Sequence, residues 1–204
     1  MKWFFASPTE DDLVRLLRAW RFWILGAIVG ALIGTALYYI VPPPYRAKAT
    51  VNVDFNLEQA WPQDTDRQHF YYLEREARKL EEIAWEDEIM DRLSSKFAVP
   101  VEDLRDGKLQ LSQPAEAGWH FYADDPYAET AASLASEWAE AFAANAQAEV
   151  AAGNINEFVK LEVTQSTNLP SERSTPLSGY MAAGSTAFIT LAVLVFLFVK
   201  PKSK

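Results

Sequence analysis

Residues 20–55 read WRFWILGAIVGALIGTALYYIVPPPYRAKATVNVDF, and three regimes succeed one another there without a linker. Phe22 to Val41 is apolar and uncharged, Pro42, Pro43 and Pro44 interrupt it, and Tyr45 to Phe55 alternates. A helix rises about 1.5 Å per residue, so about 20 residues cross a hydrocarbon layer of roughly 30 Å. The first regime therefore predicts a membrane span. Prolines lack the N–H that a helix uses and restrict the residue before them, so the helix ends here. In the third regime Ala47, Ala49, Val51, Val53 and Phe55 alternate with Arg46, Lys48, Thr50, Asn52 and Asp54, the period of a half-buried strand. A span joined directly to a strand anchors the domain beyond it at the membrane surface.

A second uncharged run, Gly179 to Val199, lies near the end of the 204-residue chain. The spacing predicts five segments: an N-terminal cytoplasmic stretch (1–21), a first transmembrane helix (22–41), an extracytoplasmic domain (42–178), a second transmembrane helix (179–199) and a tail (200–204). Arg15, Arg18 and Arg21 precede the first run, and Lys200, Lys202 and Lys204 follow the second. The inner flanks carry Arg46 and Lys48 on one side and Arg173 beside Glu172 on the other. The positive-inside rule then places both termini in the cytoplasm. The competing reading of the first run is a cleaved signal peptide. Signal cores are shorter, typically about 7–15 apolar residues, and the small stretch Gly34-Thr35-Ala36 lies inside the apolar run, so a membrane span is the favoured reading.

The 137 residues of the middle segment suffice for one compact domain. They hold 12 Lys and Arg against 25 Asp and Glu, a net charge of about −13 that argues against a nucleic-acid partner. The chain has no cysteine, so disulfides and thiolate metal sites are excluded. His69 and His120 are its only histidines, 51 residues apart, and join no metal-binding motif. No serine sits in a Gly-x-Ser-x-Gly elbow. Asp124 and Asp125 are adjacent carboxylates, but helix capping accounts for them with fewer assumptions than acid–base chemistry. No catalytic, cofactor or metal site is expected.

Along the chain, Ser7-Pro8-Thr9-Glu10 has the form of a helix start, and Leu13, Leu16, Leu17 and Trp20 recur opposite Arg15 and Arg18. This predicts an amphipathic helix on the inner membrane face, or equally an extension of the first span. Gly26, Gly30 and Gly34 fall four apart on one face of that span, and Gly179, Ala183 and Ala187 repeat the spacing in the second. Such stripes permit close packing of helices, within or between subunits. Gln59 to Asp66 reads as a loop. Arg67 to Phe97 reads as helical, with Phe70, Leu73, Ala77, Leu80 and Ala84 on one stripe and a bend near Trp85-Glu86. Val101 to Asp106 reads as an acidic turn.

Lys108 to Ser112 and Trp119 to Ala123 form a predicted hairpin. Asp125 is the expected N-cap, and Pro126 the first turn, of a long helix burying Ala131, Leu134, Ala135, Trp138, Ala141 and Phe142, which ends at Gly153-Asn154. Phe158 to Ser166 reads as the last strand, and Leu169-Pro170 to Pro176 as the return to the membrane. The expected fold is α+β: two transmembrane helices flanking a small extracytoplasmic domain, with a mixed four-strand sheet and helices packed on it.

Four features in this order resemble the Wzz-type chain-length determinants, or polysaccharide co-polymerases. Leu16-Leu17-Arg18-Ala19-Trp20-Arg21 is a basic leader running into the first span. Pro44-Tyr45-Arg46-Ala47-Lys48-Ala49 is similar to the family's Pro-x-Tyr-x-Ala-x-Ala motif. Asp125-Pro126, followed by Ala128, Ala131, Ala132 and Phe142, is similar to its Asp-Pro helix. Pro170 and Pro176 resemble its proline-rich return.

The likeness spans nearly the whole chain. It implies rings of subunits in the bacterial inner membrane that set the length of glycans built by a polymerase, or assist their export. The implied partners are further copies of the chain, membrane lipid, polysaccharide polymerase and export machinery, and a separate cytoplasmic tyrosine kinase. The departures are the lack of room for long coiled-coil helices and of a phosphate-binding Gly-Lys-Ser/Thr loop for a fused kinase. The expected function is a non-catalytic scaffold for capsule, exopolysaccharide or O-antigen assembly. The alternative is a tethered ligand-binding or sensory domain. Trp61, Phe70, Tyr71, Tyr72, Trp119, Phe121 and Tyr122 could stack on sugars, or serve core packing and the membrane interface.

Overall fold

The computed structural model describes residues 14, 17–60, 66–113, 118–165 and 171–198, with side chains omitted for 60, 66–70, 164–165 and 197–198. The chain divides into two compact units, Pro44–Ser174 and the segments on either side of it.

The flanking unit contains α1 (Trp20–Ile40) and, last in the chain, α7 (Leu177–Phe198). Both are long and apolar enough to cross a membrane. The amphipathic leader lies outside the described residues except for Val14 and residues 17–19, where a helical backbone turns at Ala19 and its carbonyl accepts from Phe22 N–H at 2.8 Å. The expected tail, 200–204, lies outside them as well.

In the central unit β1 (Tyr45–Asp54) is followed by a helical turn α2 (Leu57–Ala60), α3 (Asp66–Ala84) and α4 (Asp87–Phe97). The break at Trp85-Glu86 falls where the bend is expected, and the second stripe, Ile89, Leu93 and Phe97, belongs to α4. The expected loop at Gln59–Asp66 is in part α2 and the start of α3, and 61–65 lie outside the described residues. The expected acidic turn is helical: α5 (Val101–Asp103) runs into a wider turn through Lys108 that buries Leu104. Pro100 sits at its N-cap position, where its fixed φ suits a helix start.

The hairpin β2 (Leu109–Ser112) and β3 (Trp119–Asp125) leads into α6 (Ala128–Ala151), then β4 (Lys160–Gln165) and β5 (Glu172–Arg173). Gly153, at φ 80°, supplies the left-handed turn just past α6 that a side-chained residue resists.

The sheet order is β2-β3-β1-β4, with β5 also pairing β1. Every pairing is antiparallel, which corrects the mixed four-strand sheet expected from sequence. The reason is strand order. The 24-residue α6, about 36 Å long at 1.5 Å per residue, carries the chain back so that β3 and β4 run the same way. β1 lies between them, running opposite, so no parallel neighbours meet. The two-residue β5 is too short to show a period-two pattern in the sequence.

One face of the sheet is apolar. Ala47, Ala49, Val51 and Val53 join Trp119, Phe121 and Ala123 there, all buried, with α6 packed over β1 and β3. Every residue expected on the buried face of α6 is buried, and Ala139, Ala143 and Ala146 join them. The ring of Phe121 meets Trp138 edge-on at 4.9 Å, and Trp119 stacks on Phe142 at 5.6 Å. Trp138 Nε1 donates to the Ala84 carbonyl at 2.8 Å, so the last turn of α3 is bonded to α6. Burying each such aromatic contributes about 1.5–3 kcal/mol. Trp119, Phe121 and Tyr72 are therefore core residues; Trp61, Phe70 and His69 lie outside the described side chains.

Candidate functional site

Three segments far apart in sequence meet at one end of the sheet. Tyr45 pairs with Asp125 across β1 and β3, and with Arg173 across β1 and β5. The Pro44 carbonyl accepts from Ser174 N–H at 2.9 Å, so the strands that begin and end the central unit are bonded side by side. Pro44, Tyr45, Ala47, Ala49, Asp125 and Pro126 thus belong to one corner, with Ala47 and Ala49 in the core beneath it. Pro176 lies just before α7, and Pro170 lies outside the described residues.

Asp125 does not cap a helix. It ends β3, buried, with Oδ2 2.9 Å from Lys108 Nζ and Oδ1 accepting from Tyr127 N–H at 3.0 Å. The N-cap position of α6 is Tyr127, in an extended conformation. Pro126 is therefore in the corner between strand and helix, and not in the first helical turn. The carboxylate fixes that corner because a buried charge is stable only when paired and hydrogen-bonded. Nearby, the Arg173 guanidinium lies 3.9 Å from the centroid of the Tyr45 ring, and the Ser171 hydroxyl donates to the Ala128 carbonyl at 3.0 Å.

Among the described residues the other face of the sheet carries no helix, and it is polar. Arg46 forks onto Asp124, Nε to Oδ1 at 2.8 Å and Nη2 to Oδ2 at 2.7 Å, which raises the guanidinium pKa further. Its charged head lies 5.9 Å from the Tyr122 ring centroid. Thr50 Oγ1 and His120 Nδ1 are 3.1 Å apart. Burial, and then the charge of Lys48, push the His120 imidazole below its ordinary value, so it stays neutral near pH 7. Among the described residues no group of three or more His, Asp or Glu could hold a metal ion.

The flanking unit is a close helix pair. A Cβ built on Gly30 would lie 2.7 Å from the Gly184 carbonyl carbon and 2.9 Å from Ser185 Cα, and one on Gly34 would lie 2.8 Å from the Tyr180 carbonyl carbon. At Gly26 it would lie 3.8 Å from the Phe188 carbonyl oxygen, an ordinary contact. The Ser185 hydroxyl donates across the pair to the Ala27 carbonyl at 2.9 Å. Gly30 and Gly34 are thus used inside the chain. Their partners on α7 are Tyr180 and Gly184, not the expected stripe of Gly179, Ala183 and Ala187, of which both alanines are exposed. A stripe of small residues does not mark this face, since the Tyr180 backbone makes the contact while its ring turns aside to meet Tyr38 edge-on at 5.5 Å.

The chain matches no protein-family profile and no curated protein.

Proposed function

We propose that this chain is a non-catalytic, oligomeric membrane scaffold that modulates the length or export of a bacterial surface polysaccharide, whether capsule, exopolysaccharide or O-antigen. In this reading α1 and α7 span the inner (plasma) membrane, both termini are cytoplasmic, and Pro44–Ser174 lies outside. The observation that carries it is the pairing of Tyr45 with Arg173, which brings together the two strands leading to the apolar helices. Two covalent connections leaving one corner suit a domain tethered close to a bilayer. The motifs that resemble the co-polymerase family, Pro44-Tyr45 and Asp125-Pro126, build that same corner. Its partners are further copies of itself, membrane lipid, a polysaccharide polymerase or exporter, and a separate tyrosine kinase on the cytoplasmic side.

Deleting the gene and comparing the amount and length distribution of surface glycans tests the function, and an unchanged profile would overturn it. The mass of the detergent-solubilised protein tests the assembly. A mass of one or two chains would instead favour a tethered ligand-binding or sensory domain.

A further inference from the structure

Among the described residues the sheet ends in two edge strands, β2 and β4. Among the described residues no strand pairs with the outer side of β2 or of β4. An open edge presents a row of backbone donors and acceptors ready for another strand, and proline, inward-pointing charge, edge lysines, bulges and very short strands are the devices that guard it. Of these, β2 has only its four-residue length, and β4 has Lys160 and a register shift in its pairing with β1, while neither strand has a proline or an inward-pointing charge. β2 (Leu109–Ser112) contains no proline and no charge, and the Lys160 and Glu162 of β4 lie on the outer face. Gln147 Nε2 reaches the Leu161 carbonyl of β4 only at 3.5 Å, long for a hydrogen bond.

The two edges also fit each other. β2 runs with β1 and β4 runs against it, because each step across the sheet reverses direction. When a second copy is laid beside the first in the same orientation, β2 of one meets β4 of the next as an antiparallel pair. The side chains match too. Leu109 and Leu111 lie on the helix-covered face, as do Leu161 and Val163, while Gln110 and Ser112 share the outer face with Lys160 and Glu162. Leu111, Leu161 and Val163 are only half-buried within one chain. A one-residue slip would set apolar residues against charged ones, so the alternation restricts the registers.

From this fit we infer that copies of the chain join head to tail through the β2 edge of one and the β4 edge of the next, continuing one antiparallel sheet from copy to copy. The inference rests on the oligomeric reading above and assigns the surface that makes the oligomer. A head-to-tail contact gives a closed ring or an open array, whereas a self-complementary one stops at two.

Since the chain has no cysteine, cross-linking tests this cleanly. In the full-length protein in membranes, Gln110→Cys or Ser112→Cys is combined with Lys160→Cys or Glu162→Cys. The four pairs cover three registers, and Gln110, Lys160 and Glu162 are exposed in one chain. Within a chain the two edges are three strand spacings apart, about 14 Å. A disulfide needs Cα atoms within about 7 Å, so any bond formed between the two positions joins two copies.

The expected result is an oxidation-dependent ladder extending beyond dimers in at least one double variant and in no single variant. Dimers formed as readily by a single variant would overturn the head-to-tail contact, as would cross-links to a different protein. No ladder from any pair, with a solution mass of many chains, would overturn the edge contact while leaving the oligomeric reading standing. A mass of one chain with no ladder would overturn both.

Discussion

At the scale of single residues, two positions show how a side chain, or its absence, fixes local structure. Gly30 allows the backbones of α1 and α7 to touch, and Gly26, one turn earlier, has room for a methyl group. Gly30→Ala is expected to destabilise the helix pair by on the order of 1–3 kcal/mol through overpacking, with Gly26→Ala within about 0.5 kcal/mol. Amide hydrogen exchange of α1 in detergent measures the difference, and equal protection in the two variants would contradict the geometry. Glu76 has a fully buried carboxylate, accepting from Arg75 Nε at 2.8 Å, Lys79 Nζ at 3.3 Å and Asn156 N–H at 3.1 Å. It holds the loop after α6 against α3. Glu76→Ala leaves the Asn156 N–H unpaired and is expected to cost about 1–3 kcal/mol. Arg75→Ala, whose side chain is 61% exposed, should cost less than about 1 kcal/mol. Denaturant unfolding of the full chain would rank the two.

At the scale of elements, α4 is clamped to α6 by one carboxylate. Glu137 on α6 accepts from Lys96 at 2.5 Å and Arg92 at 2.6 Å, both on α4. The Lys96 hydrogen bond holds the carboxyl below its ordinary value of 4.5, helped by Arg92, while burial opposes the shift. A carboxyl whose pKa is depressed by folding contributes its full stabilisation above the unfolded value. That contribution fades as pH falls from about 4.5 through the folded value. Stability is therefore expected to drop in this acidic window, and Glu137→Gln should flatten that part of the profile in a denaturation series across pH. His120 has the same sign in a different window. Its folded pKa lies below the ordinary 6.5, so its contribution is complete above that value and is lost as pH falls through the folded pKa. A series that showed no slope in either window would mean that both groups titrate alike in the folded and unfolded chain.

At the scale of the whole molecule, the proposed topology has a direct check. Single cysteines placed at Lys2, Gln110 and Lys204 of this cysteine-free chain report which side of the membrane each position occupies. A membrane-impermeant thiol reagent applied to intact spheroplasts is expected to label the position at 110 and to reach 2 and 204 only after lysis. Labelling of 2 or 204 before lysis would reverse the orientation drawn from the flanking cations.

The sequence by itself determined the elements and much of their order. Hydrophobic length marks α1 and α7, strict alternation marks β1, and helical stripes mark α3, α4 and α6, because each pattern records which side of an element is hidden from water. The tertiary structure decided the rest. Strand order made the sheet wholly antiparallel, since a strand's pattern names its buried face and says nothing of its neighbours. The pairing of Asp125 with Lys108 made that residue a corner in place of a cap, through a partner 17 positions away. The use of Gly30 and Gly34 within the chain was settled by a tyrosine backbone that no search for small residues would choose. Each of these depends on a contact between distant residues, and periodicity along one segment carries no information about which distant segment will meet it.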